Sequence, residues 1–184
     1  MSLLLCFSGE IGSGKSSVSA AVATALGWKR TGFGDYLRGE ISRLGGDPGD
    51  RKALQDLGQR RVEDDAMAFC RDVLAAGAFR PGDDFIVDGI RHVAIFELLA
   101  VVARPSQPRL LFLQAPELAR SARVQDRPDA QDFARASIHH VESELQNALP
   151  RRADAIVDAG RSIDRVLAEC LKLVDGWGGG ARRP

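Results

Sequence analysis

The stretch LLLCFSGEIGSGKS, residues 3–16, decides how this chain is read. Its second part, GEIGSGKS at residues 9–16, fits GxxxxGK[ST]. Its first part, LLLCF at residues 3–7, is a continuous apolar run of the kind a strand buried on both faces carries. A strand feeding that octapeptide is the setting in which the motif cradles phosphates. Gly9, Gly12 and Gly14 let the backbone turn tightly and aim its N–H groups into one concavity, with Ser13 between them, and the turn leads into the positive end of the next helix. Lys15 adds a mobile ammonium for the outer phosphates, and the Ser16 hydroxyl is placed to ligate a magnesium ion shared with them. Ser17 continues the first helical turn and completes the set assigned to ATP. A glycine-rich turn with an incidental lysine is the competing reading, and the complete motif outweighs it.

Working outward, two more apolar runs resemble the first: Phe85, Ile86 and Val87 lead into Asp88, and residues 110–113 lead into Gln114. Residues 155–157 before Asp158 give a shorter fourth strand, and residues 28–31 a short fifth. Helical patterns separate them. Val18, Val22 and Leu26 recur every four residues before Gly27, residues 93–102 read as a buried helix, and Ile163, Val166, Leu167, Cys170, Leu171 and Val174 form a last amphipathic helix closed by Gly176. The alternation is βαβ. It predicts a right-handed, doubly wound α/β sheet of five parallel strands with helices on both faces, and a ligand site beyond the carboxyl ends of the strands. The Gly9 loop, Asp88, Gln114 and Asp158 gather at that edge.

A chain of 184 residues suits one core, so one domain is expected over residues 1–176, with a flexible tail over 177–184. The 25 basic and 25 acidic residues cancel, leaving no global field to hold nucleic acid or an anionic membrane. Anion recognition must then be local. Cys6, Cys70 and Cys170 are odd in number and form no CxxC pair, which argues against a disulfide framework and a zinc site. His139 and His140 have no spaced metal-ligating partners. No stretch approaches the roughly 18 apolar residues of a membrane span, and a cytoplasmic location is expected. Nothing in the sequence fixes an oligomeric state.

Phosphate-loop proteins divide by the residues that end the strand carrying their second nucleotide signature. Hydrolytic ATPases place an acidic pair there; here Asp88 is followed by Gly89, and no NKxD stretch is present to read guanine. A transferase, which must keep water from the γ-phosphate, needs no second carboxylate. Arg120, Arg123 and Arg127 are spaced by three and four residues, placing them on one helical face just before Pro128. Such a face suits a lid, over roughly 116–130, whose guanidinium groups stabilise a transferring phosphoryl group; the alternative is a solvated face neutralised by Glu117 and Asp126. In the cluster FGDYLR, residues 33–38, Asp35 reads as a helix N-cap and Arg38 projects from the first turn. Arg38 and Arg91 together would hold the phosphate of an acceptor opposite ATP. Gln55 and Gln59 share a helical face with Arg51, and their amides would either read a base edge or lie on an exposed polar face.

These residues together resemble the nucleoside monophosphate kinases: the loop at 9–17, FGDYLR at 33–38, VDGIR at 87–91 and the arginine-bearing segment before Pro128. The nearest groups are the adenylate-kinase-like and deoxynucleoside monophosphate kinases, with dephospho-coenzyme A kinase nearby. The resemblance implies a three-layer P-loop NTPase fold with a short helical lid and an acceptor-binding region over roughly 33–75. It gives Lys15 and Ser16 to the donor phosphates and magnesium, Arg38 and Arg91 to the acceptor phosphate, and Arg123 and Arg127 to the lid. DAGRS at 158–162 resembles the loop beside the donor adenine, which puts Gly160 with the ATP-binding residues. Two departures stand out: DGIR is one residue shorter than the usual DGFPR, and the lid lacks zinc-binding cysteines.

The expected chemistry is transfer of the ATP γ-phosphoryl group, with Mg2+ as cofactor, to a nucleoside or deoxynucleoside monophosphate. The expected partners are thus ATP and a small phosphorylated acceptor. An acceptor phosphate with its second pKa near 6 is already ionised near neutral pH and needs no strong base. Lys15, Arg123, Arg127 and Asp88 are the expected catalytic residues, Asp88 also holding a magnesium-bound water; Asp35, Arg38, Arg91 and Gln59 are expected at the acceptor. A hydroxyl acceptor, as in dephospho-coenzyme A or another small molecule, would instead require one carboxylate to act as base. A switch protein that binds ATP to order its lid, without transfer, is the alternative from another class.

Overall fold

The computed structural model describes residues 2–125 and 144–179. Five strands form one sheet in the order β2-β3-β1-β4-β5: β1 (Leu3–Gly9), β2 (Lys29–Gly32), β3 (Phe85–Ile90), β4 (Gln107–Gln114) and β5 (Ala155–Asp158). Every neighbouring pair is parallel. The helices are α1 (Lys15–Leu26), α2 (Phe33–Arg43), α3 (Arg51–Ala76), α4 (Val93–Val102), α5 (Glu117–Gln125), α6 (Leu149–Arg152) and α7 (Ile163–Gly176), with a π-helical turn at Glu144–Ala148 before α6.

The continuous apolar runs have a direct cause: both faces of the sheet are covered, so both side-chain sets of each central strand are buried. Leu4 and Cys6, Phe85 and Val87, and Leu110 and Phe112 pack under α2, α3 and α4, joined by Leu145 and Leu149. Their strand neighbours Leu3, Leu5 and Phe7, Ile86, and Leu111 and Leu113 point the other way, against Val18 and Val22 of α1 and Val166, Cys170 and Val174 of α7. A period of two, read across two covered faces, becomes an unbroken apolar run. The doubly wound three-layer architecture is the one expected.

Two expectations change. Asp35 is not an N-cap: α2 begins at Phe33 after Gly32, which places Asp35 inside the first turn, where its carboxylate meets arginines instead of backbone N–H groups. Residues 177–179, expected as the start of a tail, are packed: Trp177 lies against the α1–α7 layer and a Cβ at Gly179 would stand 2.7 Å from Leu3 and 3.0 Å from Trp28. An apolar residue next to glycines reads as tail, yet here the indole has a core to join. No helix among the described residues is long and apolar enough to cross a membrane.

Candidate active site

The chain leaves β1 and turns to β2 and β3 on one side and to β4 and β5 on the other, so a crevice opens at the carboxyl end of β1. The phosphate loop fills it. Loop and helix meet at Gly14, whose left-handed φ of 85° serves as the α1 N-cap, and Val18 N–H donates to the Gly14 carbonyl at 3.0 Å. The loop is packed from the side: a Cβ on Gly9 would stand 2.5 Å from the Leu113 carbonyl oxygen, and one on Gly12 2.7 Å from that of Arg120. Lys15 and Ser16 follow at the helix N-terminus, with Ser17 exposed beside them.

Facing the loop is a cavity of about 390 Å³, the volume of a small-molecule site. Lys15 and Ser16 line it, together with Asp35, Arg38, Gln55, Gln59, Asp88 and Arg91. All four expected acceptor residues are thus brought together with Lys15, the lysine expected at the donor phosphates, in one space. The shorter DGIR segment does not turn Arg91 away from it. Lys15, Arg38, Arg51 and Arg91 oppose the carboxylates of Asp35 and Asp88 there, a local excess of positive charge in a protein whose total charge is zero. Phe33, Leu37, Leu54, Val62, Phe69 and Ile95 make the remainder apolar. Gln59 donates to Glu63 at 2.7 Å.

Asp88 lies near the end of β3, level with Phe7 of β1 and Gly32 of β2. Just beyond it the β1–β3 register slips at Phe7/Ser8, and the Ser8 hydroxyl donates to the Ile90 carbonyl at 2.7 Å across the irregularity. The Asp88 Oδ2 accepts from Arg30 at 2.8 Å, while Oδ1 is buried and has no partner among the described residues. A buried carboxylate oxygen without a donor costs free energy unless a ligand satisfies it. Together with the Ser16 hydroxyl, this oxygen makes a hard oxygen donor set that fits hydrated Mg2+.

The α5 helix closes the loop's other flank. Arg120 pairs with Glu10 at 3.2 Å and donates to the Ile11 carbonyl at 3.4 Å; both side chains are largely buried. Arg123 donates to the Ser13 carbonyl at 3.3 Å and to that of Ala159 at 2.8 Å, tying the loop to the DAGRS segment. In that segment Gly160 N–H donates to Asp158 Oδ1 at 2.9 Å, and Pro116 packs within 3.0 Å of where a Gly160 Cβ would stand. Arg120 is drawn in against the loop instead of lying on a solvated face, while Arg123 stays exposed and reaches the loop through these carbonyl contacts. Arg127, Asp126, Pro128, His139 and His140 lie outside the described residues.

Sequence reasoning missed Arg30, Ser19 and Glu10. Arg30 meets Asp88 across 58 positions of chain, and nothing in KRTG marks it, because a short edge strand with a basic residue reads as solvated. The strand-end position itself, two residues before Gly32, was the available signal.

No protein-family model matches the chain. Over 98 residues, 53% of this chain, it is 34% identical to a UPF0200 protein of Aeropyrum pernix, and it spans 51% of that protein, about half its length. Among solved structures, the shikimate kinase of Aquifex aeolicus is similar over 97% of this chain and 100% of its own, with a TM-score of 0.60 and 14% identity. The shikimate kinase of Bacteroides thetaiotaomicron gives the same TM-score and identity over 94% and 98%. A sugar kinase from Janibacter is similar over 95% of both chains, with a TM-score of 0.54 and 14% identity. At such identities the likeness is one of fold alone: the chain shares the overall fold of these kinases.

Proposed function

We propose that this protein is a phosphotransferase that moves the γ-phosphoryl group of ATP to a small phosphorylated acceptor, of the nucleoside or deoxynucleoside monophosphate class. The observation that carries this reading is one cavity lined by Lys15 and Ser16 together with Arg38, Arg91 and Gln59. Donor and acceptor phosphates would meet between them, and their charge is matched by the local excess of cations. Bound at Ser16 and, through water, at Asp88, Mg2+ would neutralise charge on the donor phosphates.

The chain's own residues supply the rest. Loop N–H groups and Lys15 orient the β- and γ-phosphates. Arg123, held against Ser13 and Ala159, keeps α5 against the loop and would turn from these carbonyls toward a developing charge; Arg127 would join it. Arg38 and Arg91 orient the acceptor phosphate, which attacks already ionised, so Asp35 and Asp88 need take no proton. The apolar wall excludes water that would otherwise hydrolyse the donor.

A second reading, transfer to a hydroxyl, draws support from the shikimate and sugar kinases among the structural neighbours and from the two carboxylates on the cavity wall. One screen separates these: ADP formation from ATP and Mg2+ against nucleoside monophosphates, deoxynucleoside monophosphates, dephospho-coenzyme A, shikimate and hexoses. Turnover that requires a monophosphate is the expected result. Turnover with a hydroxyl acceptor alone moves the chain to the second reading, and equal turnover with and without any acceptor refutes transfer. Lys15→Ala should lower kcat by about 10²-fold or more while the folded state persists, as loss of a preorganised charge contact does.

A further inference from the structure

Arg30 does not line the cavity, yet both carboxylates that do are bound to it. Its planar fork uses three nitrogens: Nε donates to Ser19 Oγ at 2.8 Å, Nη2 to Asp88 Oδ2 at 2.8 Å and Nη1 to Asp35 Oδ2 at 3.3 Å. Each contact continues. The Ser19 hydroxyl donates to the carbonyl of Ser16 at 3.0 Å, and Asp35 Oδ1 accepts from Arg38 Nη1 at 3.2 Å. One guanidinium thus stands at the junction of a path from Ser16, beside the donor lysine, to Arg38 across the cavity, with Asp88 as a branch.

We propose that Arg30 is the positioning residue that joins the two halves of the site, fixing Asp88 on the donor side and, through Asp35, presenting Arg38 on the acceptor side. The proposal rests on the phosphoryl-transfer reading above and adds a residue that reading does not use. Burial grades the two branches. The Asp88 side chain is 6% exposed and Ser19 is fully buried, so the donor branch is rigid; the Asp35 side chain is 59% exposed, so the acceptor branch can adjust to a ligand. With Oδ2 engaged by Arg30, Asp88 is held with Oδ1 left over, an oxygen that no described residue satisfies. Without Arg30, two carboxylates on one wall would repel, Asp88 would lose its hydrogen-bond donor, and Asp35 would keep only Arg38. A clamp serving only the fold would not require both of its carboxylates to face the substrate cavity. Lysine cannot replace the fork, since a point charge reaches one carboxylate at a time.

The test compares Arg30→Lys, Arg30→Met and Asp35→Asn with the wild-type chain in three measurements. These are the Mg2+ dependence of binding of a non-hydrolysable ATP analogue without acceptor, the kcat and KM for the best acceptor of the screen, and the Arg38 Nε–Hε resonance of the metal-free protein. Arg30→Met should raise the Mg2+ needed for half-maximal analogue binding by about 10-fold or more, the range typical of residues that orient a metal's surroundings. Arg30→Lys should recover most of that Mg2+ dependence while the acceptor KM stays raised about 5-fold or more. Asp35→Asn should raise the acceptor KM alone, and all three changes should move the Arg38 resonance. If Arg30→Met fails to fold, the other two variants decide: an unchanged acceptor KM and Arg38 resonance in both overturns the proposal. Variants that lose thermal stability but keep wild-type Mg2+ dependence and acceptor KM make Arg30 a fold clamp and overturn it too. A wild-type chain that binds the analogue yet transfers to no acceptor refutes the transfer reading, and Mg2+ dependence and the Arg38 resonance still decide the role of Arg30.

Discussion

Gly12 and Gly14 have nearly the same φ, 80° and 85°, in very different surroundings. Both positions are left-handed, so an alanine at either costs about 1–2 kcal/mol. At Gly14 the added methyl meets nothing closer than the Arg123 guanidinium at 3.8 Å, whereas at Gly12 it would stand 2.7 Å from the Arg120 carbonyl oxygen and 3.0 Å from Val124. Backbone cannot swing aside as a side chain does, so α5 must back away from the loop and loosen the Arg120–Glu10 pair. Gly12→Ala should therefore cost about 1–3 kcal/mol more than Gly14→Ala, the usual range for overpacking, as read by urea unfolding of the two variants. Equal losses would mean that α5 gives way without cost and is less firmly seated than its contacts imply.

At the scale of elements, α3 is two helices joined at a kink. Asp65 has an extended backbone, φ −160° and ψ 89°, and its Oδ1 accepts from Ala68 N–H at 2.8 Å, capping the second half. The first half carries Leu54, Gln55, Gln59 and Val62 to the cavity; the second sends Phe69, Cys70, Val73 and Leu74 into the core. Arg61 bridges the joint, pairing with Asp72 while its guanidinium lies 5.3 Å from the Phe69 ring centroid. Asp65→Ala should cost about 1 kcal/mol in urea unfolding, the worth of a lost cap, and Asp65→Asn only a few tenths. A silent Asp65→Ala would mean that Arg61 alone holds the joint. The kink was not legible in the sequence, because an aspartate in a helix offers a cap or a solvated side chain equally. The central strands were legible: a strand covered on both faces leaves an apolar run that local reading detects. KRTG, at the sheet edge, leaves almost none, and Asp35 read as a cap because its true partners, Arg30 and Arg38, compete with backbone N–H groups for its oxygens.

For the whole molecule, the same contrast separates what sequence shows of the site from what only folding assembles. The phosphate loop is contiguous and its chemistry can be read in order; the Arg30–Asp88 pair spans β2 and β3 and exists only once the sheet has formed. The three thiols report on that assembly. All are free and buried, Cys6 in β1 and Cys70 in α3 within one layer, Cys170 in α7 within the other. Burial pushes the Cys70 and Cys170 thiols up to about 12 from 9.0, and that of Cys6 higher still. An unfolded thiol ionises above pH 9 while the native one stays protonated until about pH 12, so the unfolded state binds fewer protons in that window. Stability contributed by these thiols is then complete below pH 9 and falls as pH rises toward 12, by about 1 kcal/mol per thiol at pH 10. The thiolate is the reactive form, so alkylation of the native protein must pass through unfolding. If the layers share one cooperative transition around their common sheet, iodoacetamide at pH 8.5 should label all three cysteines at a single rate, read site by site by mass spectrometry. If Mg-ATP binds the folded loop as proposed, it should slow all three by the same factor. Labelling of Cys170 ahead of Cys6 and Cys70 would show that α7 leaves the sheet on its own, and nucleotide would then protect the two layers unequally.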